Sequence, residues 1–216
     1  MNRLSEKRCV IIGSSPDTDS AVISANVKNG DFIICADGGY IYAQKAGLLP
    51  NLIIGDFDSA DFPENAECEV ITLPVKKDDT DTLFCVKEAL KRGYDNIIIL
   101  GGTGGRADHT FANICTLKFL AEKNIDAEII GSDVKIFVMM HGLKYITGQK
   151  GMTFSVFPFG CDTCTVTLDG FMYELKAGIL KSDFPIGVSN EIISDNARVE
   201  LHEGTAVIMI EKIAEK

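Results

Sequence analysis

The chain has 216 residues, 46% of them hydrophobic and 24% charged, with a formal net charge of −10. This is ample apolar material for a buried core in one large or two small domains, and it excludes a disordered chain. The acidity disfavours nucleic acid and anionic membrane surfaces as partners, so a polyphosphate ligand needs metal ions or local basic groups. No apolar run approaches the roughly 18 residues of a membrane span. The stretch 1–8 is polar where a signal peptide would be apolar, and a cytoplasmic location is expected.

Residues 8–132 alternate between short apolar runs and amphipathic stretches. The runs fall at 9–12, 32–36, 52–54, 69–73, 97–100 and 128–130, most of them closed by Gly or Asp-Gly. Runs this short and this rich in Ile and Val predict buried parallel strands. Between them, 82–92 and 110–122 carry apolar residues at helical spacing, the second with Phe111, Ile114, Cys115, Leu117, Phe119 and Leu120 on one broad face. Strand–helix alternation predicts an open parallel α/β sheet flanked by helices over residues 1–132.

From about residue 133 the pattern becomes short β-like runs at 135–140, 152–158, 163–168, 170–175, 191–193, 197–201 and 206–210. Gly, Asp and Asn punctuate them, and Leu168-Asp169-Gly170-Phe171 reads as a hairpin turn. An all-β, sandwich-like domain is expected over residues 133–216. The seven cysteines read as reduced thiols; Cys161 and Cys164 form a lone C-x-x-C without the further ligands a zinc site needs. His141 and His202 have no partner pattern and read as surface residues.

Ligands of open α/β sheets bind beyond the carboxyl ends of the strands, so the residues directly after each predicted strand carry the most weight. Asp37-Gly38-Gly39 comes after the second, and Gly55-Asp56-Phe57-Asp58-Ser59 after the third. Lys77-Asp78-Asp79-Thr80-Asp81 comes after the fourth. The stretch Gly101-Gly102-Thr103-Gly104-Gly105-Arg106-Ala107-Asp108-His109 comes after the fifth. Asp56 and Asp58, two apart in an extended segment, can face one side. Asp78 is a natural N-cap, with Asp81 in the first helical turn. Clustered carboxylates repel one another unless a cation sits among them, and Mg²⁺ takes a few such oxygens together with water and phosphate. The glycines free backbone N–H groups for an anion, and Arg106 supplies a fork of donors suited to phosphate. His109, at a helix start, can donate to phosphate or share a proton, and equally can serve as a structural cap. No Walker loop or clean dinucleotide fingerprint is present; Gly13-Ser14-Ser15-Pro16-Asp17 stands where the latter would be.

Together, A-D-G-G (36–39), G-D-F-D-S (55–59), K-D-D-T-D (77–81), G-G-T-G-G-R-A-D-H (101–109) and G-V-S-N-E (187–191) resemble the thiamine pyrophosphokinase family, bacterial branch, over nearly the whole chain. The resemblance implies transfer of a pyrophosphoryl group from ATP to the thiamine hydroxyl, giving thiamine diphosphate and AMP. It implies Mg²⁺ held by Asp56, Asp58, Asp78 and Asp81, with Arg106 and His109 lining the phosphates. Asp81 or Asp78 is the candidate to take the hydroxyl proton, and the sequence does not choose between them. Asp37, Gly38, Gly39, Thr80, Gly101, Gly102, Gly104, Gly105 and Arg106 would bind ATP. Ser189, Asn190 and Asp108 would contact thiamine, in a homodimer with the thiamine site at the subunit interface. Vertebrate members carry a Trp after the Ser-Asn pair; here Glu191 stands next, and the chain has no Trp. A phosphotransferase for another small alcohol and a non-catalytic thiamine or nucleotide sensor are the alternatives.

Overall fold

Six apolar runs form parallel strands: β1 (Arg8–Ile12), β2 (Phe32–Ala36), β3 (Leu52–Gly55), β4 (Glu69–Thr72), β5 (Asn96–Leu100) and β6 (Asp126–Ile130). The computed structural model describes residues 7–15, 18–57, 67–76 and 78–212, which fall into two compact units divided between Ser132 and Asp133.

In the first unit the strand order is β6-β5-β1-β2-β3-β4, every pair parallel. Val10 of β1 lies opposite Ile33 on one side and Ile98 on the other. Cys9, Val10, Ile11 and Ile12 are wholly buried, because strands covered on both faces need unbroken apolar runs. The chain runs outward from β1 to β4 and then returns to β5 on β1's other flank. The order therefore reverses between β1 and β5, where a crevice opens at the strands' carboxyl ends.

Four helices join these strands: α1 (Ser20–Asn26), α2 (Gly39–Lys45), α3 (Asp81–Lys91) and α4 (Ala107–Ala121). Only α3 and α4 have the length for a readable helical period; α1 and α2 have seven residues each and carry no predicted helix. Local chemistry starts α1, where the Asp19 carboxylate accepts the Ala21 N–H at 2.8 Å. On α4, Ile114, Leu117 and Leu120 are buried, but Phe111 and Cys115 are exposed, so the apolar face is narrower than its composition suggests.

The second unit is all β: β7 (Val134–Met139), β8 (Gly142–Thr147), β9 (Thr153–Pro158), β10 (Thr163–Asp169), β11 (Leu175–Lys181), β12 (Asn190–Glu191), β13 (Asn196–Glu203) and β14 (Ala206–Glu211). They form two antiparallel layers, β12-β9-β14-β7 and β11-β10-β13-β8. Alternate residues of β13, Ala197, Val199 and Leu201, point into the core beside Val166, Leu168 and Ile208. Phe154 and Phe171 meet there at 4.5 Å between ring centroids. Two details differ from the sequence reading. Residues 170–174 are connection, and the strand expected there is β11, which starts at Leu175; β8 was not expected at all. Both are edge strands with few buried residues, so neither shows a strong apolar pattern.

Candidate functional site

A parallel sheet brings all its carboxyl ends to one rim. Here the ends of β1 to β5 surround a single cleft of about 550 Å³ within the first unit. Gly13, Ser14 and Ser15 line it after β1, Ala36 and Asp37 after β2, and Asp56 after β3. Asp79, Thr80, Asp81 and Thr82 come from the start of α3. Gly101 to Gly104, then Arg106, His109, Thr110 and Asn113, close the remaining side.

Asp37 turns sharply out of β2 with φ of 46°, a left-handed conformation that costs a non-glycine residue about 1–3 kcal/mol. Its N–H is held by the Ile54 carbonyl at 2.7 Å. Gly55 makes this approach possible: a Cβ there would lie 2.8 Å from the Asp37 Cα. Gly38 and Gly39, next in the chain, form the N-cap and first residue of α2 and lie outside the cleft lining.

At α3 the cap is Thr80 rather than Asp78: the Thr80 hydroxyl accepts the Leu83 N–H at 3.2 Å. Asp81 is then the first helical residue, where the helix dipole favours a negative charge. Asp78 is exposed and outside the lining; its neighbour Asp79 is in it, with both oxygens on the Lys87 ammonium at 2.8 and 2.6 Å. Asp58 lies outside the described residues.

The glycine loop after β5 takes left-handed φ at Gly101, Gly104 and Gly105. Among the described residues, no acceptor takes the N–H of Thr103, Gly104 or Gly105. Successive free N–H groups of this kind form an anion cradle. Asn113 donates from Nδ2 to the Gly102 carbonyl at 2.8 Å, and the Ser15 hydroxyl donates to the Thr103 carbonyl at 2.5 Å. Arg106 and Asp108 form a two-point ion pair at 3.1 and 2.6 Å, both side chains exposed. The Arg106 hydrogen bond holds the Asp108 carboxyl below its usual range. Asp108 also accepts the His109 N–H at 3.0 Å; His109 lines the cleft, whereas Asp108 and Gly105 do not.

Asp37, Asp56, Asp79 and Asp81 give the cleft hard oxygen donors, the chemistry a hard divalent cation takes alongside water and phosphate.

Ser189 and Asn190 lie in the second unit. Ser189 has φ of 57° and donates its N–H to the Ser155 hydroxyl at 3.1 Å. The buried Asn190 amide clamps Tyr173: its oxygen accepts the Tyr173 N–H at 2.9 Å, and its nitrogen donates to the Tyr173 carbonyl at 2.7 Å. Ser15, Asp79 and Asn113 join the site without having stood out in the sequence as site residues. Ser15 and Asp79 come after strands like the others, but Asn113 sits inside an apolar helix face with no sequence signal.

The two units match two family models. Residues 23–129 match the thiamin pyrophosphokinase catalytic domain, and residues 140–206 match its vitamin B1 binding domain. Thiamine pyrophosphokinase of Bacillus subtilis is 30% identical over 182 residues, covering 82% of this chain and 85% of that protein. Thiamin pyrophosphokinase 1 of Caenorhabditis elegans is 26% identical over 197 residues, with 85% and 81% covered. The crystal structure of the Bacillus subtilis enzyme superposes with a TM-score of 0.87 over 96% of this chain and 100% of that one. With both units matched in order and a relative 30% identical over 82% of the chain, the chain belongs to the thiamine pyrophosphokinase family.

Proposed function

We propose that this protein transfers the pyrophosphoryl group of ATP to the hydroxyl of thiamine, and that the cleft of the first unit is where ATP reacts. The carrying observation is the pairing of carboxylates Asp37, Asp56 and Asp81 with the unsatisfied N–H groups of Thr103 and Gly104 around one cleft. An acidic protein can hold a polyphosphate only where donors and a cation offset its charge. The loop amides and Arg106 are the donors; Asp56 and Asp81, with Asp58 nearby in the chain, would hold Mg²⁺. When bound, the metal neutralises phosphate charge as it builds in the transition state.

In the reaction the thiamine hydroxyl oxygen bonds to the β-phosphorus. The bond from that phosphorus to the oxygen bridging it to the α-phosphate breaks, and AMP leaves with that oxygen. The hydroxyl proton passes to a carboxylate; of Asp78 and Asp81, only Asp81 is in the cleft lining. Arg106 must exchange Asp108 for a phosphate oxygen, an open route for a pair this exposed. His109 donates to phosphate from the same side.

Thiamine binding belongs to the second unit and its Ser189-Asn190 turn. Ile186, Val188, Met172 and Tyr173, close in sequence to that pair or clamped by it, are large apolar side chains more than half exposed. Exposed apolar residues grouped in this way mark an interaction face. They support a homodimer in which a second copy completes the thiamine site. No described helix is long and apolar enough to cross a membrane, and we place the enzyme in the cytoplasm.

The test is a product assay with purified protein, thiamine, ATP and Mg²⁺. AMP and thiamine diphosphate should appear one to one and vanish on chelation. ADP with thiamine monophosphate, or binding of thiamine without turnover, would sink the proposal. Light scattering of the eluted protein should give twice the chain mass; a monomer that turns over at full rate removes the shared-site reading.

A further inference from the structure

We infer that Asn113 and Ser15 are positioning residues for the glycine loop: by holding the carbonyls of Gly102 and Thr103 they aim the N–H groups of Thr103 and Gly104. This rests on the reading of the loop as the phosphate cradle. A trans peptide is planar, so its N–H points opposite its C=O. Fixing the Gly102 carbonyl on Asn113 therefore fixes the Thr103 N–H, and fixing the Thr103 carbonyl on Ser15 fixes the Gly104 N–H. Both N–H groups are without an acceptor among the described residues.

The loop needs such a clamp. Four of its five residues are glycine, with the widest conformational freedom of any residue and the most to lose on ordering. A floppy cradle would pay that cost at every binding event, and a fixed one does not. The clamp is built into rigid parts. Asn113 is 7% exposed on the second turn of α4, beside Ile114. Asn is a poor helix former, and a buried amide is tolerated only where it finds partners. An apolar residue would serve packing better there; the amide supplies a donor aimed at the loop. Gly102 is seated firmly too: a Cβ on it would come within 3.0 Å of Ile99 and 3.1 Å of Ile129. Ser15 holds the loop from the opposite flank, off the end of β1. The two side chains thus tie the loop to α4 and to the central strand at the point where the sheet order reverses.

The experiment is calorimetric titration of the full chain with Mg²⁺ and α,β-methylene-ATP, which cannot react at the β-phosphorus. Asn113→Ala, Asn113→Asp, Ser15→Ala and the Asn113→Ala/Ser15→Ala double variant are compared with wild type, each checked for thermal unfolding and for thiamine KM. Each single change should raise the nucleotide Kd about tenfold, since the charge-assisted hydrogen bonds from the loop N–H groups to phosphate weaken as those groups lose their alignment. Thiamine KM should stay within about twofold. The double variant should lose less than the product of the singles, because both act on one loop. Asn113→Asp removes the donor and sets a carboxylate oxygen against the Gly102 carbonyl, so it should lose at least as much affinity as Asn113→Ala. A purely structural Asn113 would lower the unfolding temperature and leave Kd unchanged, which overturns the inference; so does a wild-type Kd in Ser15→Ala, and Ser15→Ala decides alone if the Asn113 variants do not fold. Gly104→Val, which strains the loop itself, separates the two layers: unchanged affinity there removes the phosphate cradle. Weakened affinity there with normal affinity in the clamp variants removes only the clamp.

Discussion

Replacing Gly55 with Ala tests how the sheet builds the cleft. The φ at Gly55 is not left-handed, so alanine suits its backbone and the whole effect is contact. The new Cβ would sit 2.8 Å from the Asp37 Cα and 3.1 Å from its Oδ1, where ordinary contact begins near 3.4 Å. Main chain cannot swing aside like a side-chain tip, so β3 and the Asp37 turn must separate by several tenths of an ångström. Overpacking of this kind costs about 1–3 kcal/mol, or roughly 2–4 °C of unfolding temperature per kcal/mol for a chain of this size. The displacement falls on Asp37 and, one residue on, on Asp56, so kcat/KM for ATP should drop at least about tenfold. The comparison variant is Gly93→Ala. Gly93 has φ of 82° with nothing within 4 Å of an added Cβ, so it should lose about 1–2 kcal/mol of stability and no activity. Steady-state kinetics beside differential scanning fluorimetry reads both. A Gly55→Ala enzyme with wild-type kcat/KM would refute the claim that the Asp37 turn and the end of β3 share one tight geometry that catalysis needs.

Three further outcomes are expected. Arg106→Gln should raise the ATP KM and lower kcat, and by removing the hydrogen bond it should move the Asp108 titration, followed by NMR, back up toward 3.8; an unmoved Asp108 would contradict the ion pair. Arg92 joins Glu69 of β4 at 2.8 Å and Glu88 of α3 at 2.9 Å, and lies over the Phe32 ring at 5.5 Å. Arg92→Met should lower stability by about 1–2 kcal/mol in chemical denaturation. For Glu88, burial acts to raise the pKa, but the hydrogen bonds from Arg92 and Lys91 prevail and lower it from 4.5. Its stabilisation is therefore full above 4.5 and is lost as pH falls through the lower folded value, and the Arg92→Met difference should shrink in that acid window. Burial pushes the Cys9 thiol up to about 12 and raises Cys35 and Cys85 further, while Cys115 is exposed. Mass spectrometry after brief thiol alkylation should find Cys115 modified in the native protein, and those three only after unfolding.

The inner parallel strands β1, β2, β3 and β5 were legible because burial on both faces leaves a distinct trace: an unbroken apolar run such as Phe32–Ala36, closed by a residue that can turn. α1 was not legible, because its seven residues form two turns and only Ile23 is buried. β11 escapes for a related reason. It is an edge strand with Lys, Ala and Gly along it, and Leu180 is its one fully covered residue. Nothing in such a sequence separates a strand from a loop until its neighbour β10 is present. Sequence periodicity reports how much of an element is covered, so α1 and β11 escape it although both are regular.

The cleft divides along the same line. Asp37, Asp56 and the glycines of 101–104 were visible because each stands directly after an apolar run, and strand ends in a parallel sheet share a rim. Which member of an acidic run faces inward was not visible. Asp78 and Asp79 are adjacent and chemically alike, and the choice depends on where α3 begins. Once Thr80 is the cap, Asp81 opens the helix, Asp79 turns into the cleft and Lys87 meets it. That contact spans two helical turns and rests on an earlier decision about the cap, so one hydroxyl at residue 80 governs which carboxylates reach the cleft. Asn113 and Asn190 lie further from sequence logic still. Each is a buried amide whose partner is a main-chain group 11 or 17 residues away, Gly102 and Tyr173. An amide in an apolar stretch marks only that some carbonyl or N–H must come to meet it; the fold decides which one, and in the first unit that carbonyl belongs to the loop whose N–H groups stand open at the cleft.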